Sequence, residues 1–308
     1  MVVAIHIGMP YYLEIPLRIA VPFFFISSSF LFWHKKKSLG EFIKRMALLY
    51  FAWFVLELPF VFTRFSTTNI WGIIKSFFFS NTFYASWYLT ASIEGMALCV
   101  LLSKWLSNKW LLFVGGVLYC LAVFGGGYFG IVPNYIQSLL LSLDNIIPLT
   151  NSFIPAFIYC VLGKIFSDNA AFLPPQNDSN NLALVGIGLL VLLLCESILM
   201  HTNCRHTDTF FTLPAISWIL LCFATREPFW AQLSSCAGAV LRKSSTLIYF
   251  MHYMIILAVT PLLSSTELYR AAPLIITVKF FLVAFISVLI SFIIIRLSSR
   301  IRVLRVLY

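Results

Sequence analysis

The chain has 308 residues, of which 61% are hydrophobic and only 10% are charged. A soluble domain carries roughly a quarter charged residues, so this composition excludes a water-soluble globular protein and predicts a polytopic membrane protein. The net charge is +10, but the cations form short clusters at the ends of apolar runs, such as Lys35–Lys37. This placement is typical of topology signals beside a lipid bilayer, and we predict no nucleic-acid partner.

The apolar runs predict an all-α fold, a polytopic membrane helix bundle. Met1–Met9 is far shorter than the roughly twenty residues of a spanning helix, so we interpret it as the end of a first, truncated span. The predicted second to tenth spans are Pro16–Trp33, Phe42–Phe62, Tyr84–Leu106, Trp110–Phe129, Ser152–Phe166, Leu182–Met200, Phe210–Ala224, Ser245–Leu263 and Pro273–Leu297. We therefore expect about ten transmembrane spans in a single domain over residues 1–308.

Four segments between these runs are predicted to lie outside the hydrocarbon. Asn69–Ser80 is short and amphipathic, which indicates a helix on the membrane surface. Gly130–Thr150 is predicted as a long external loop after the helix stop at Gly125–Gly127. Ser167–Asn181 holds prolines, aspartates and asparagines and is predicted as a loop. Gln232–Lys243 is predicted to lie along the surface.

The distribution of the 21 Lys and Arg residues predicts the orientation. If both termini are cytoplasmic, only four cations lie on the outer side: Arg64, Lys75, Arg205 and Arg270. Arg18 and Lys279 fall within spans, and the remaining cations face the cytoplasm. Because cytoplasmic loops carry the excess of Lys and Arg, we predict a multi-pass protein of the plasma membrane, or bacterial inner membrane, with both termini cytoplasmic.

Four stretches carry a resemblance to a known family. They are Met1–His6 with Arg18–Ser27, then Ser86–Leu89, and late in the chain Ser245–His252. Together they resemble the acyltransferase-3 family of bacterial membrane acyltransferases, and the first thirty residues are similar to the membrane domain of membrane-bound serine racemases. The family carries an arginine eleven residues before its histidine, a position that would lie before Met1.

The resemblance implies an enzyme, an O-acyltransferase that transfers groups other than aminoacyl groups. The donor would be an acyl-CoA, with acetyl-CoA expected, and the acceptor a hydroxyl of a cell-envelope glycan or lipid. Two alternatives stay open. The serine-racemase branch implies a transport module for an amino acid such as serine, and the short first helix is compatible with an inactive fragment. The oligomeric state is left open.

His6 and Arg18 are the first candidate site residues. Imidazole has a suitable pKa for taking a hydroxyl proton, and the resemblance implies that His6 is the catalytic base. The alternative is a histidine at a helix end among lipid headgroups. Arg18 would bind the anionic groups of the donor or stabilise an oxyanion, and its alternative is a snorkelling cation near a helix start.

Trp87 and Tyr88 would line the substrate pocket by resemblance, although aromatic residues are expected near a membrane interface in any case. Pro22 is expected to break or kink the second span, with Ser27–Ser29 bonding the freed carbonyls. Buried carboxylates within spans mark function or pair with a cation. These candidate acids are Glu57 and Glu94, with Glu196 as a third. The alternative to a functional role is that one of them pairs with Arg18 or Lys279.

Tyr249 and His252 lie one helical turn apart, on one face of the ninth span. They match the family's late Tyr-x-x-His motif, for which we expect a structural role. His201, Cys204 and His206 lie in one loop, but one cysteine and two histidines are a weak metal signature. We predict no metal.

Overall fold

The computed structural model describes residues 2–65, 70–79, 81–168, 179–226, 235–264 and 272–308. Within these ranges all regular structure is helical, which confirms the predicted class. The α-helices are α1 (Val2–Ile5), α2 (Tyr11–Glu14), α3 (Ala20–His34), α4 (Leu39–Leu56), α5 (Leu58–Phe65), α6 (Ile70–Phe79), α7 (Trp87–Leu102), α8 (Asn108–Gly125), α9 (Asn134–Ile146), α10 (Phe153–Asp168), α11 (Ser179–Met200), α12 (Thr212–Arg226), α13 (Ser235–Ser264) and α14 (Ala272–Leu297). Three 3₁₀ segments cover Ile15–Ile19, Phe129–Ile131 and Arg302–Leu307.

Five helical segments of the described ranges are long and apolar enough to cross a membrane. They are Tyr11–His34, Asn108–Gly125, Asn180–Met200, Ala237–Leu263 and Ile275–Leu297. Three shorter helices are also apolar: Ile70–Phe79, Trp87–Leu102 and Thr212–Thr225. The helical membrane character of the chain therefore stands, whereas the predicted number of ten spans is not established.

The predicted third span is wrong as a single helix. α4 ends at Leu56, Glu57 caps it, and α5 starts at Leu58. Pro59 explains the break, because it has no N–H with which to continue the hydrogen-bond ladder of α4.

Two other segments differ from expectation. The predicted loop Gly130–Thr150 contains the 13-residue helix α9, which begins directly after Pro133. The predicted surface segment Gln232–Lys243 is, from Ser235 onward, the first part of the 30-residue helix α13. Residues 232–234, residues 169–178 of the predicted Ser167–Asn181 loop, and Arg270 lie outside the described residues.

Pro22 does not break the second span. The helix changes from 3₁₀ to α geometry at Ile19, and Pro22 lies within the first turn of α3, where its missing N–H costs little. Two of the following serines bond to neighbouring helices rather than to freed carbonyls, and the Ser27 hydroxyl is buried without a hydrogen-bond partner among the described residues. Ser28 pairs with the Tyr88 hydroxyl at 3.3 Å, and Ser29 donates to the Cys160 carbonyl at 2.6 Å.

The centre of the bundle is α10, which packs against α3, α7 and α8. Its side chains Ala156, Phe157 and Val161 are fully buried. Gly163 allows α3 to approach closely, because a Cβ at this position would lie 2.6 Å from the Ile26 carbonyl oxygen. Small residues at such crossings are the usual means of packing helices within a membrane.

Candidate active site

A cavity of about 170 Å³ lies between the start of α3, the start of α7 and the middle of α13. We call it the histidine cavity. Its titratable and polar lining residues are His6, Arg18, Asn81, Tyr84, Thr150, Asn151, Tyr159, Asp208, Tyr249, His252 and Tyr253, and Trp87 and Pro22 also line it. The fold thus brings together residues from both ends of the chain.

His6 lies in the turn after α1, outside all five membrane-length segments. Gly8, with φ of +83°, completes this turn. The His6 side chain lines the cavity and is accessible to solvent, while the surrounding protein partly buries its ring. This burial, together with the Arg18 cation, lowers the pKa of His6 below its ordinary value of 6.5. Neutral imidazole is therefore favoured, and this is the form that accepts a proton.

Arg18 lies at the same cavity and forms two ion pairs. Its guanidinium donates to Glu14, one helical turn earlier, and to Asp208 in the loop before α12. The predicted pairing of Arg18 with Glu57, Glu94 or Glu196 is therefore wrong. The spacing of four residues between Glu14 and Arg18 is a visible signal in the sequence. Asp208 has no such local signal, and sequence reasoning missed it.

The turn before α7 fixes the two predicted aromatic residues. The Ser86 hydroxyl accepts from the Thr82 and Phe83 N–H groups at 2.9 and 3.3 Å and donates to the Phe83 carbonyl at 2.8 Å. Consecutive residues of a helix are about 100° apart, so Trp87 and Tyr88 face different directions. Trp87 lines the histidine cavity, whereas Tyr88 lines a second one.

This second cavity, of about 420 Å³, lies toward the opposite end of α3. We call it the basic vestibule, because four cations line it: Lys35, Lys37, Arg45 and Arg242. One acid, Glu41, also lines it. Burial and the neighbouring Arg45 and Lys35 lower the pKa of Lys37, which indicates mutual repulsion that an anionic ligand would relieve.

The two cavities meet at Tyr249, which lines both. Its ring centroid lies 5.4 Å from that of Tyr88 and 6.2 Å from that of Phe24. Phe25 packs on Tyr88 at 4.8 Å. We call Phe24, Phe25, Tyr88 and Tyr249 the aromatic layer. It separates the basic vestibule from the histidine cavity.

Comparison with known proteins gives the family. A family model described as an acyltransferase domain, that of acyltransferase-3, matches residues 1–296. The chain belongs to the acyltransferase-3 family.

Two curated relatives are both named amino-acid racemase and come from Enterococcus faecalis. One is 35% identical over 162 residues, which cover 49% of this chain and 23% of the relative. The other is 24% identical over 305 residues, which cover 93% of this chain and 42% of the relative. The chain thus spans less than half the length of these relatives. No solved structure matches it significantly.

None of the three acidic candidates of this acyltransferase-3 chain lines the histidine cavity. Glu57 is buried and accepts from the Tyr84 N–H at 3.2 Å, and neither Glu57 nor Glu94 lines the histidine cavity or the basic vestibule. Glu196 caps the start of α12, accepting from the N–H groups of Phe211 and Thr212 at 2.7 and 3.1 Å. This cap gives Glu196 a structural role.

His252 is fully buried beside His6, and their ring centroids are 5.2 Å apart. Its Nδ1 lies 2.6 Å from the Tyr249 carbonyl oxygen and 3.2 Å from that of Ile248. The Tyr-x-x-His motif of this acyltransferase-3 chain therefore places both of its side chains at the histidine cavity. Among the described residues, no group of three His, Cys, Asp or Glu side chains is placed to hold a metal ion.

Proposed function

We propose that this acyltransferase-3 protein transfers an acyl group, with acetyl expected, from a cytoplasmic acyl-CoA to a hydroxyl of an envelope glycan or lipid. The observation that carries the proposal is the meeting of two unlike cavities at Tyr249. The basic vestibule presents cations at the end of the bundle that bears Lys35–Lys37, and the histidine cavity presents His6. A donor and an acceptor entering from opposite sides would meet at the aromatic layer.

The basic vestibule supports an acyl-CoA donor. Coenzyme A carries phosphates on its nucleotide end, and guanidinium and ammonium groups are the side chains that bind phosphate. Lys35, Lys37, Arg45 and Arg242 supply both kinds of group. The excess of cations at this end supports a cytoplasmic orientation under the positive-inside rule. The extended thioester arm would then pass the aromatic layer and bring the acyl carbon toward His6.

The histidine cavity supports a hydroxyl-bearing acceptor. Asn81, Thr150, Asn151 and Asp208 line it with amide, hydroxyl and carboxylate groups, which hydrogen-bond to hydroxyls. Trp87 adds an aromatic surface on the same wall. A few polar groups set in an apolar wall are typical of a small-molecule site.

The reaction follows from these placements. His6 takes the proton of the acceptor hydroxyl as its oxygen attacks the thioester carbonyl carbon. A new C–O bond forms, the C–S bond breaks, and the thiolate leaving group takes the proton back from His6. The products are an ester and free CoA thiol. Arg18 lies beside His6 and favours its neutral form, and its guanidinium would stabilise the oxyanion through N–H groups directed at the carbonyl.

The test is acyl transfer by the purified protein in proteoliposomes. Acetyl-CoA with a labelled acetyl group is supplied on the side of the basic vestibule, and envelope glycans or lipids are supplied on the other. Labelled ester and stoichiometric CoA thiol are expected for the parent protein. Absence of both, in a protein that is folded and correctly oriented, would overturn the assignment.

Transport of an amino acid is the second candidate. The resemblance of the first thirty residues to the membrane domain of serine racemases implies it, and the relatives from Enterococcus faecalis are named amino-acid racemase. Arg18 and Asp208, side by side at the histidine cavity, would match the opposite charges of a zwitterion. Uptake of labelled serine into the same proteoliposomes tests it. Uptake without any ester product would favour transport over acyl transfer.

We further propose that both termini face the cytoplasm, since this orientation leaves few cations on the outer side. Reporter fusions at His34 and at Tyr308 should then both report the cytoplasm. Reports from opposite sides would mean an odd number of crossings between the two positions.

A further inference from the structure

His252 has a defined tautomer. Its Nδ1 lies within hydrogen-bonding distance of two carbonyl oxygens, those of Tyr249 and Ile248. Carbonyl oxygens only accept hydrogen bonds, so Nδ1 carries the proton. In a neutral imidazole the other nitrogen then holds a lone pair, and Nε2 of His252 is an acceptor.

This acceptor is buried without a partner. The Nε2 atom is inaccessible to water and makes no hydrogen bond in the described structure. Buried polar atoms are nearly always hydrogen-bonded, and a substrate in the cavity does not reach an atom that water does not reach. The candidates for the donor are therefore the neighbouring side chains.

His6 is the neighbour placed to supply it. The two ring centroids are 5.2 Å apart and the ring planes are inclined by 32°. At this separation two imidazoles whose edges face each other bring a pair of nitrogens within hydrogen-bonding distance, and we infer that a rotation of the His6 ring about its Cβ–Cγ bond makes this contact with Nε2. The rings of Tyr249 and Tyr253 lie 6.3 and 6.5 Å from that of His252, centroid to centroid, and neither hydroxyl bonds to Nε2 in the described structure.

We propose that His252 is the positioning residue of His6: its Nε2 accepts a hydrogen bond from one ring N–H of His6, which leaves the other His6 nitrogen as the base. The chain of bonds runs from the Tyr249 carbonyl through His252 to His6. It fixes a tautomer as the third member of a catalytic triad does, with a backbone carbonyl in place of a carboxylate. The kinetic consequences of this inference rest on the proposed acyl transfer, whereas the hydrogen bond itself does not.

The hydrogen bond has a pH signature. An acceptor stabilises the donor more strongly when the donor is cationic, so Nε2 of His252 favours protonated His6. Its loss should shift the acid limb of the activity profile to lower pH. The other titratable or charged groups that face His6 are Arg18 and Glu14 from the segment Tyr11–Ile19, Asp208 from the loop before α12, Tyr84 from the turn before α7, and Tyr249 and Tyr253 from α13.

The first experiment reads the tautomers directly and needs no activity. The protein is labelled with ¹⁵N in its histidine rings and studied by NMR in lipid nanodiscs. We expect His252 to carry its proton on Nδ1, and its Nε2 resonance to move in His6→Phe because the donor is lost. His34→Gln, at the far end of α3, is the matched control and should leave the resonance unchanged. The proposal would be overturned if His252 carried its proton on Nε2, or if its Nε2 resonance were the same in His6→Phe as in the parent protein.

The second experiment uses acyl transfer. His252→Phe should lower kcat by roughly 10- to 100-fold, taking as a guide the range for hydrogen-bond partners that orient metal-ligating histidines, with little change in KM. The acid limb should shift to lower pH. His252→Gln should recover part of kcat, because its carbonyl can still accept from His6, and it serves as the second variant if His252→Phe does not fold. Two results would contradict the proposal. One is full kcat in folded His252→Phe, and the other is an equal loss of kcat in His252→Phe and His252→Gln with no shift of the acid limb.

If the parent protein transfers no acyl group, the proposed function fails, and the NMR result still decides whether the hydrogen bond exists.

Discussion

Arg18 and Asp208 are 190 residues apart in the sequence and form an ion pair at the wall of the histidine cavity. Glu14 pairs with the same guanidinium, so a single cation is shared between two carboxylates. This arrangement ties the start of the second span to the loop before α12, and it sets the electrostatic field at His6.

The pair should act on the pH profile with opposite signs. Arg18 lowers the pKa of His6 and Asp208 raises it. Since only neutral His6 accepts a proton, activity falls as the pH drops through this pKa. Arg18→Gln should therefore move the acid limb to higher pH, and Asp208→Asn should move it to lower pH. The measurement is kcat/KM against pH for each variant.

The matched control for this pair is Lys164→Gln. Lys164 forms an ion pair with Asp168 at the far end of α10 and lines neither cavity, so its substitution should not move the limb. If the acid limb moved in the same direction in Arg18→Gln and in Asp208→Asn, the assignment of His6 as the titrating base would be contradicted.

His6→Gln should abolish most of the acyl transfer. A general base contributes roughly 10²- to 10⁴-fold to a rate, and glutamine retains polarity without accepting a proton near neutral pH. Binding of the donor should be largely unchanged, because the basic vestibule is separate. Product formation is compared with that of His34→Gln, which should equal the parent. A normal rate in His6→Gln would remove His6 from the mechanism.

The cations of the basic vestibule should act on donor binding alone. Arg45→Gln and Arg242→Gln should raise KM for acetyl-CoA with little effect on kcat, and the increase should diminish at high salt. With acetyl-pantetheine, which lacks the nucleotide phosphates, the same variants should behave like the parent. Lys109→Gln, which does not line the vestibule, is the control. A KM change of equal size for both donors would contradict phosphate binding at this site.

Gly163→Ala should destabilise the protein by about 1–3 kcal/mol, the usual cost of overpacking. Its Cβ would lie 2.6 Å from the Ile26 carbonyl oxygen and from Ser29 Cβ, so α3 and α10 must separate. Gly116→Ala is the matched control, because a Cβ there has no neighbour within 4 Å. Thermal unfolding in detergent should show a lower Tm for the first variant and no loss for the second.

Composition and local signals predicted much of the fold. The apolar runs identified the membrane class, and the end of α8 at Gly125 agrees with the predicted stop. The break at Glu57 was missed because apolar residues surround it on both sides, so that hydropathy alone extends the helix. α9 was missed because its face toward the protein is narrow, with Leu140 as its buried residue.

The site was less accessible to sequence reasoning. The motif residues His6, Arg18 and His252 were identifiable by resemblance, but Asp208 belongs to no local pattern, since an ion pair between distant loops leaves no periodicity. The partition of Trp87 and Tyr88 between two cavities also depends on how α7 is rotated in the bundle. Pro22 was misread because its effect depends on its position in the helix, and the first turn tolerates it.

The shared position of Tyr249 at both cavities has a further consequence for the cell. A passage open at both ends would carry protons and ions down the membrane potential, at a cost of about 2.3 kcal/mol per charge for each 100 mV. The aromatic layer lies between the two cavities, with its rings in mutual contact. Under the proposed acyl transfer, a layer that admits the thioester arm and otherwise packs shut would let an acyl group cross while the ion gradients on either side remain intact.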